Sequence, residues 1–232
     1  MASGVINIKN IGEVTFYKNR RSTKIKISVK PDKSVLVSFP YGISEREVLS
    51  FIKKSEDWIL RQKGKLNGKI GIFTEGLVIE TKMHSIHLFR GNKNNIEING
   101  NRIDLTLPDF DSEQSTGIIK NLTDRVYRKE AKQILPGRLK AMAVKYGFSY
   151  NKVTLRNNKS NWGSCSSKNN ISLNLQLMKL PFELIDYILL HELVHTEIKN
   201  HGPRFWERLN QVTEFKARQL SAMVRQFSTY TI

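Results

Sequence analysis

The first half of the chain is patterned with period two. Residues 24–30 alternate polar and apolar positions (Lys24-Ile25-Lys26-Ile27-Ser28-Val29-Lys30). After the turn-prone Pro31-Asp32 a second strand is expected over 34–39, giving a hairpin with one wet face. Lys18, Arg20, Arg21, Lys24, Lys26 and Lys30 make that face basic, as an anion-binding patch or, more simply, as a solvated edge that resists aggregation. Ser44-Glu45-Arg46-Glu47 has the form of a capping box, and Val48, Leu49, Ile52, Trp58 and Ile59 carry an amphipathic helix to about Gln62. Apolar runs at 77–79, 86–89, 96–98 and 103–107, punctuated by Gly and Asn, read as further strands.

The acidic, Ser-rich segment 108–116 has no periodicity and is the best domain boundary. It divides a β-rich domain with one helix (1–112) from a mainly helical domain (113–232), an α+β organisation. In the second domain, 118–135 and 136–146 read as one broken helix or as two, because Pro136 lacks a donor and crowds the preceding turn. A short strand is expected at 153–156 and a polar loop over 157–170. A strand over 171–178 follows, with Ile171, Leu173, Leu175 and Leu177 on its buried face. His84 and His87, three apart in a strand region, point to opposite faces and make poor co-ligands.

Charge widens the field of partners. The formal balance of +17 is spread over both halves and suits a polyanion such as nucleic acid or a nucleotide. The one cysteine, Cys165, excludes an internal disulfide, and no apolar run follows Met1, so no secretory signal and no membrane span are expected. A cytoplasmic protein is the reading that results. Nothing in the pattern sets the oligomeric state.

The candidate chemistry lies after Pro181. A helix is expected from Phe182 to about Lys199, apolar in nearly every direction and therefore buried. It carries His191, Glu192 and His195, the pattern H-E-x-x-H. Residues four apart share a helix face, so the two imidazoles are placed to bind one metal, with Glu192 about 100° around the helix. Zinc with a carboxylate beside its bound water is the chemistry this spacing suits. His201, just before Gly202-Pro203, is the leading third ligand, while Glu207 and Glu214 are the carboxylate alternatives. Three protein ligands to one Zn2+ per chain leave a fourth position for water, and Glu192 is the candidate general base. Cys165 lacks a partner at zinc-site spacing and reads as an ordinary thiol.

The run from His191-Glu192-Leu193-Val194-His195 through Asn200-His201 and Phe205-Trp206 resembles the YgjP-like metal-dependent hydrolases, relatives of the SprT and WLM zinc metallopeptidases. Asn161-Trp162-Gly163-Ser164-Cys165-Ser166 and Ile171-Ser172-Leu173-Asn174 resemble the same family, as do Arg20-Arg21-Ser22 through Pro40 and Trp58-Ile59. The resemblance implies a zincin-like catalytic domain with zinc on His191, His195 and His201, and with Glu192 as base. It also implies an edge strand beside the cleft, placed here at 171–178, where an extended substrate adds as a strand. Asn174 and Trp162 then become candidate substrate-binding residues. The chain departs from the family at Asn161, where the family usually has Arg.

A zinc-dependent hydrolase of metallopeptidase type is therefore the leading expectation, with peptide bonds as substrate. The same family implies a nucleoside-triphosphate (UTP-like) pyrophosphatase as an alternative, although no P-loop is present. A nucleic-acid-associated protease or binding module is a third reading, motivated by charge.

Overall fold

The computed structural model describes residues 3–29, 34–67, 73–158 and 160–229, and divides into two compact units, 1–71 and 72–231. The first unit holds β1 (Ser3–Ile8), β2 (Gly12–Lys18), β3 (Lys26–Val29) and β4 (Val35–Phe39) in the order β1-β2-β4-β3. β3 and β4 are antiparallel, with Ile27 opposite Val37, as the alternating pattern predicts; the turn at Pro31-Asp32 lies outside the described residues. β1 and β2 lie outside the alternating segments picked out by sequence. Ser44 caps α1 (Glu45–Lys54) through a true capping box: its side chain accepts from Glu47 N, and the Glu47 carboxylate accepts from Ser44 N at 2.9 Å. The expected single helix breaks at Ser55 and continues as α2 (Glu56–Asn67). Val48, Ile52 and Ile59 pack with Val14, Val35, Val37 and Phe39 as this unit's core.

The second unit begins with the four predicted apolar runs, β5 (Val78–Glu80), β6 (Ser85–Arg90), β7 (Asn95–Asn99) and β8 (Arg102–Leu107). They form a sheet of order β5-β6-β8-β7 in which only β6 and β8 run parallel. The expected boundary at 112/113 falls between β8 and α3 (Glu113–Tyr146), inside this unit. Ser112 caps α3 at its start, and Gly147, in the left-handed region at φ 74°, ends it. Pro136 sits within α3 without ending it, so one helix stands where one broken helix or two are expected. Tyr127, Ala131, Leu135 and Leu139 anchor it in the core on both sides of the proline.

A second sheet in this unit has the order β10-β11-β9, from β9 (Lys152–Arg156), β10 (Gly163–Cys165) and β11 (Asn170–Asn174). Two expectations are corrected here. The strand expected over 171–178 ends at Asn174, whose side chain accepts from Gln176 N and starts a short 3-10 helix (Leu175–Lys179). That strand is also not an edge: β11 pairs with β9 on one side and β10 on the other. The outer strands are β9 and β10, and β10 comes from the segment read as loop. Three helices complete the unit: α4 (Phe182–Glu197), α5 (Pro203–Val212) and α6 (Ala217–Val224). The architecture is α+β. Among the described residues no helix is long and apolar enough to cross a membrane.

Candidate metal centre

α4 is buried on nearly all sides, with Leu184, Ile185, Leu189, Leu193 and Val194 in the core. Packing all round fixes the rotation of the helix, so His191, Glu192 and His195 present their polar atoms at one defined place. The chain leaves α4 through Ile198, in extended conformation (φ −127°, ψ 106°), and re-enters a helix at Pro203. The short link returns His201 to α4. Its Nε2 lies 3.0 Å from His191 Nε2 and 3.2 Å from His195 Nε2.

These three nitrogens form a group that could hold a metal ion. His195 Nδ1 donates to the Ile198 carbonyl at 2.9 Å, which leaves the Nε2 lone pair of the neutral ring facing the cluster. Burial is the main cause that holds His195 below the ordinary imidazole range; the neighbouring His201 and Lys199 add to it, and the Ile198 carbonyl opposes it. Burial also takes His191 down to about 3, with repulsion from His195 and His201 adding to it. A single proton on His201 Nε2 satisfies only one of its two neighbours, so lone pairs are left facing one another, an arrangement that a cation relieves. Tetrahedral zinc with bonds of about 2.0–2.1 Å sets its ligand nitrogens roughly 3.3 Å apart, close to the separations found. All three candidate ligand atoms lie within 4.8 Å of one another. Beneath them Phe205, fully buried, places its ring centroid 4.9, 4.5 and 4.7 Å from those of His191, His195 and His201.

Glu192 completes the site. Its Oε2 is buried and, among the described residues, has no hydrogen-bond partner. Burial alone pushes the carboxyl up to about 8. An orphaned carboxylate oxygen is costly unless a cation or a proton-bearing group comes to it, so this atom fits the vicinity of a metal and its water. The side chain lies against β10 so closely that a Cβ on Gly163 would stand 2.7 Å from Oε1.

The sequence profile of the YgjP-like metallopeptidase domain matches residues 23–221, most of the chain. The chain belongs to the YgjP-like family. Two solved structures are similar to parts of this YgjP-like chain. One is the metallopeptidase zymogen abylysin of Pyrococcus abyssi, 23% identical, with 40% of this chain and 95% of that one covered at a TM-score of 0.36. The other is the metallopeptidase zymogen jannalysin of Methanocaldococcus jannaschii, 23% identical, covering 39% and 93% at a TM-score of 0.35. No curated protein matches the chain.

Other residues of this YgjP-like protein fall in and out of the site. Trp162 lines a cavity beside His191 and Glu192. Asn174, expected on the substrate wall, is instead fully buried: its Nδ2 donates to the carbonyls of Asn158 and Asn161, both at 2.7 Å, and so holds the loop that carries Trp162. Asn161 lines the cavity and donates to the Gly163 carbonyl at 3.1 Å. Glu207 and Glu214 are exposed, Glu214 lies 3.9 Å from Lys216, and the ligand cluster found among the described residues consists of the three histidines. Cys165 is half-buried; burial raises its thiol pKa although Lys199 Nζ lies 3.8 Å away and opposes the shift. His84 and His87 take no part: His84 Nδ1 donates to Glu130, and His87 pairs with Ser85. Sequence reading missed Gly163 as part of the site wall. For Gly163 the available signal was a glycine in a polar run just ahead of a strand.

Proposed function

We propose that this metallopeptidase-family protein is a zinc-dependent hydrolase of peptide bonds, with His191, His195 and His201 holding the metal and Glu192 acting as general base. The observation that carries this reading is the unpaired, buried Oε2 of Glu192 beside three converging imidazole nitrogens. A bound zinc ion supplies a Lewis acid and brings the pKa of its water to about 7.

The protein's own residues do the rest. Glu192 receives the water proton at its unpaired oxygen and returns it to the leaving amine. Ile198 holds His195 in the tautomer that presents Nε2, and Phe205 supports all three rings from below. The outer edge of β10, paired only with β11 and packed against Glu192, is the strand to which an extended substrate adds. The largely apolar cavity beside the site, walled by Trp162, Ile188 and Val224, favours a peptide side chain over a triphosphate.

The test is incubation of zinc-loaded protein with casein and, separately, with UTP. The expected result is new peptide amino termini that vanish with chelator and return with zinc. Turnover of UTP without turnover of casein would replace the peptide by the nucleotide.

A further inference from the structure

The cavity beside Glu192, about 340 Å³, has walls of contrasting character. Its interior is formed by Tyr187 and Ile188 of α4, Trp162 of the loop before β10, and Val224 of α6. Phe227 and Arg225, both exposed, stand in the chain just after α6. Tyr187 is only 4% exposed; burial raises its hydroxyl pKa, and Ser221, Arg225 and Arg218 partly offset that shift, which places the two guanidinium groups on this side of the molecule. Arg218 is engaged, its guanidinium 3.6 Å from the centre of the Trp206 ring. Among the described residues no carboxylate is ion-paired with Arg225.

These surroundings select. A charged side chain of either sign entering the cavity gives up its hydration against largely apolar walls, and a basic one has also to pass Arg225, so both signs of charge are opposed. A small polar side chain gains little from apolar walls and leaves its own hydrogen bonds unmade. The volume stands at the low end of the range of about 300–1,000 Å³ usual for ligand pockets, which suits one large side chain and not a whole ligand. We propose that this cavity receives a large apolar side chain flanking the scissile bond, and that Arg225 binds a carboxylate that follows it in the substrate. The assignment rests on the peptidase reading and names its substrate class: peptides with an aromatic or large aliphatic residue followed by a carboxylate. That carboxylate comes either from an acidic side chain or from the peptide's own C-terminus.

The experiment uses the full zinc-loaded chain and quenched fluorescent peptides that differ at two adjacent positions: Phe-Glu, Phe-Gln, Ser-Glu and Phe-Lys, each as free acid and as amide. Mass spectrometry reads the cleavage point, and anisotropy reads the binding of the same peptides to Glu192→Gln. Phe-Glu is expected to exceed Ser-Glu and amidated Phe-Gln in kcat/KM by about tenfold or more. Arg225→Gln is expected to remove the preference for the carboxylate and keep that for Phe, and Arg225→Glu to shift preference toward Phe-Lys. A free-acid Phe-Gln peptide that matches Phe-Glu assigns the carboxylate to the C-terminus, whereas one that matches its amide assigns it to the side chain. Hydrolysis that ignores both positions, or that Arg225→Gln leaves with unchanged ratios, overturns the cavity assignment while the peptidase reading stands. Arg225-dependent binding of Phe-Glu to Glu192→Gln with no peptide cleaved by the parent protein overturns the peptidase reading and leaves the assignment in place.

Discussion

Gly163 and Glu192 are in contact through the space a side chain would need: a Cβ on the glycine would stand 2.7 Å from Oε1 and 2.9 Å from the carboxyl carbon. β10 and α4 therefore approach each other as closely as they do because this position has no side chain. Gly163→Ala is expected to push the Glu192 carboxylate aside while the three histidines keep their places. Peptide turnover should fall by about 10²-fold, the scale of a displacement of roughly 1 Å at a reacting group. Zinc content measured on the same sample should stay at the parent level; joint loss of zinc would show that the glycine supports the whole site.

His201 is the proposed ligand supplied from outside α4, and its link to that helix is short. His201→Ala leaves two ligands on one helix face, so zinc affinity is expected to fall by more than about 100-fold, beyond what loss of a supporting residue costs. Competition with a fluorescent chelator measures this. An unchanged affinity would return Glu207 or Glu214 to consideration.

Phe205 has no polar role but touches all three imidazoles from a fully buried position. Phe205→Ala is expected to cost about 3–5 kcal/mol of stability through the cavity it leaves. Phe205→Leu is expected to retain the fold but weaken zinc binding. Urea unfolding with and without zinc separates the two effects.

Away from the site, Glu130 of α3 is fully buried and pins the turn before β6. It accepts from the Thr81 hydroxyl, from Lys82 N at 3.0 Å, from Met83 N at 2.8 Å and from His84 Nδ1 at 2.9 Å. Burial pushes its pKa up, but these hydrogen bonds together outweigh burial, and the net shift is downward from 4.5. A carboxylate held low in the folded state contributes stability that is present above pH 4.5 and is lost as the pH falls through the lower folded value. Glu130→Gln sets an amide among donors, so it is expected to lower stability at pH 7 by about 2–3 kcal/mol and to flatten the acid limb of the stability profile. Thermal unfolding at a series of pH values checks this. An acid limb unchanged in the variant would mean that other groups set it.

What was legible from sequence followed from local rules. The capping box at Ser44 and the all-round apolar pattern of α4 depend on neighbours within one or two turns, and both are as read. The H-E-x-x-H spacing placed His191 and His195 together because 3.6 residues per turn leaves no other arrangement. β10 was not legible, because Gly163-Ser164-Cys165 is too short to show alternation and is a strand only by pairing with β11. The end of β11 was hidden for a different reason. Leu173, Leu175 and Leu177 are all buried, so the period-two pattern runs on unbroken although the backbone changes to a 3-10 helix that packs on α3. Asn174 was placed on the substrate wall by the resemblance, which implied an edge strand there; in the structure β11 is central, and Asn174 caps the 3-10 helix and ties down the preceding loop.

In the proposed reaction Glu192 moves the proton in a zinc-dependent cleavage of peptide bonds. The most direct measurement is peptide turnover by Glu192→Gln against the parent protein, both brought to one zinc per chain by elemental analysis. Equal zinc content and a fall in turnover of about 10²–10⁴-fold, the usual contribution of a general base, are expected. Turnover retained in Glu192→Gln at full zinc occupancy would contradict that role.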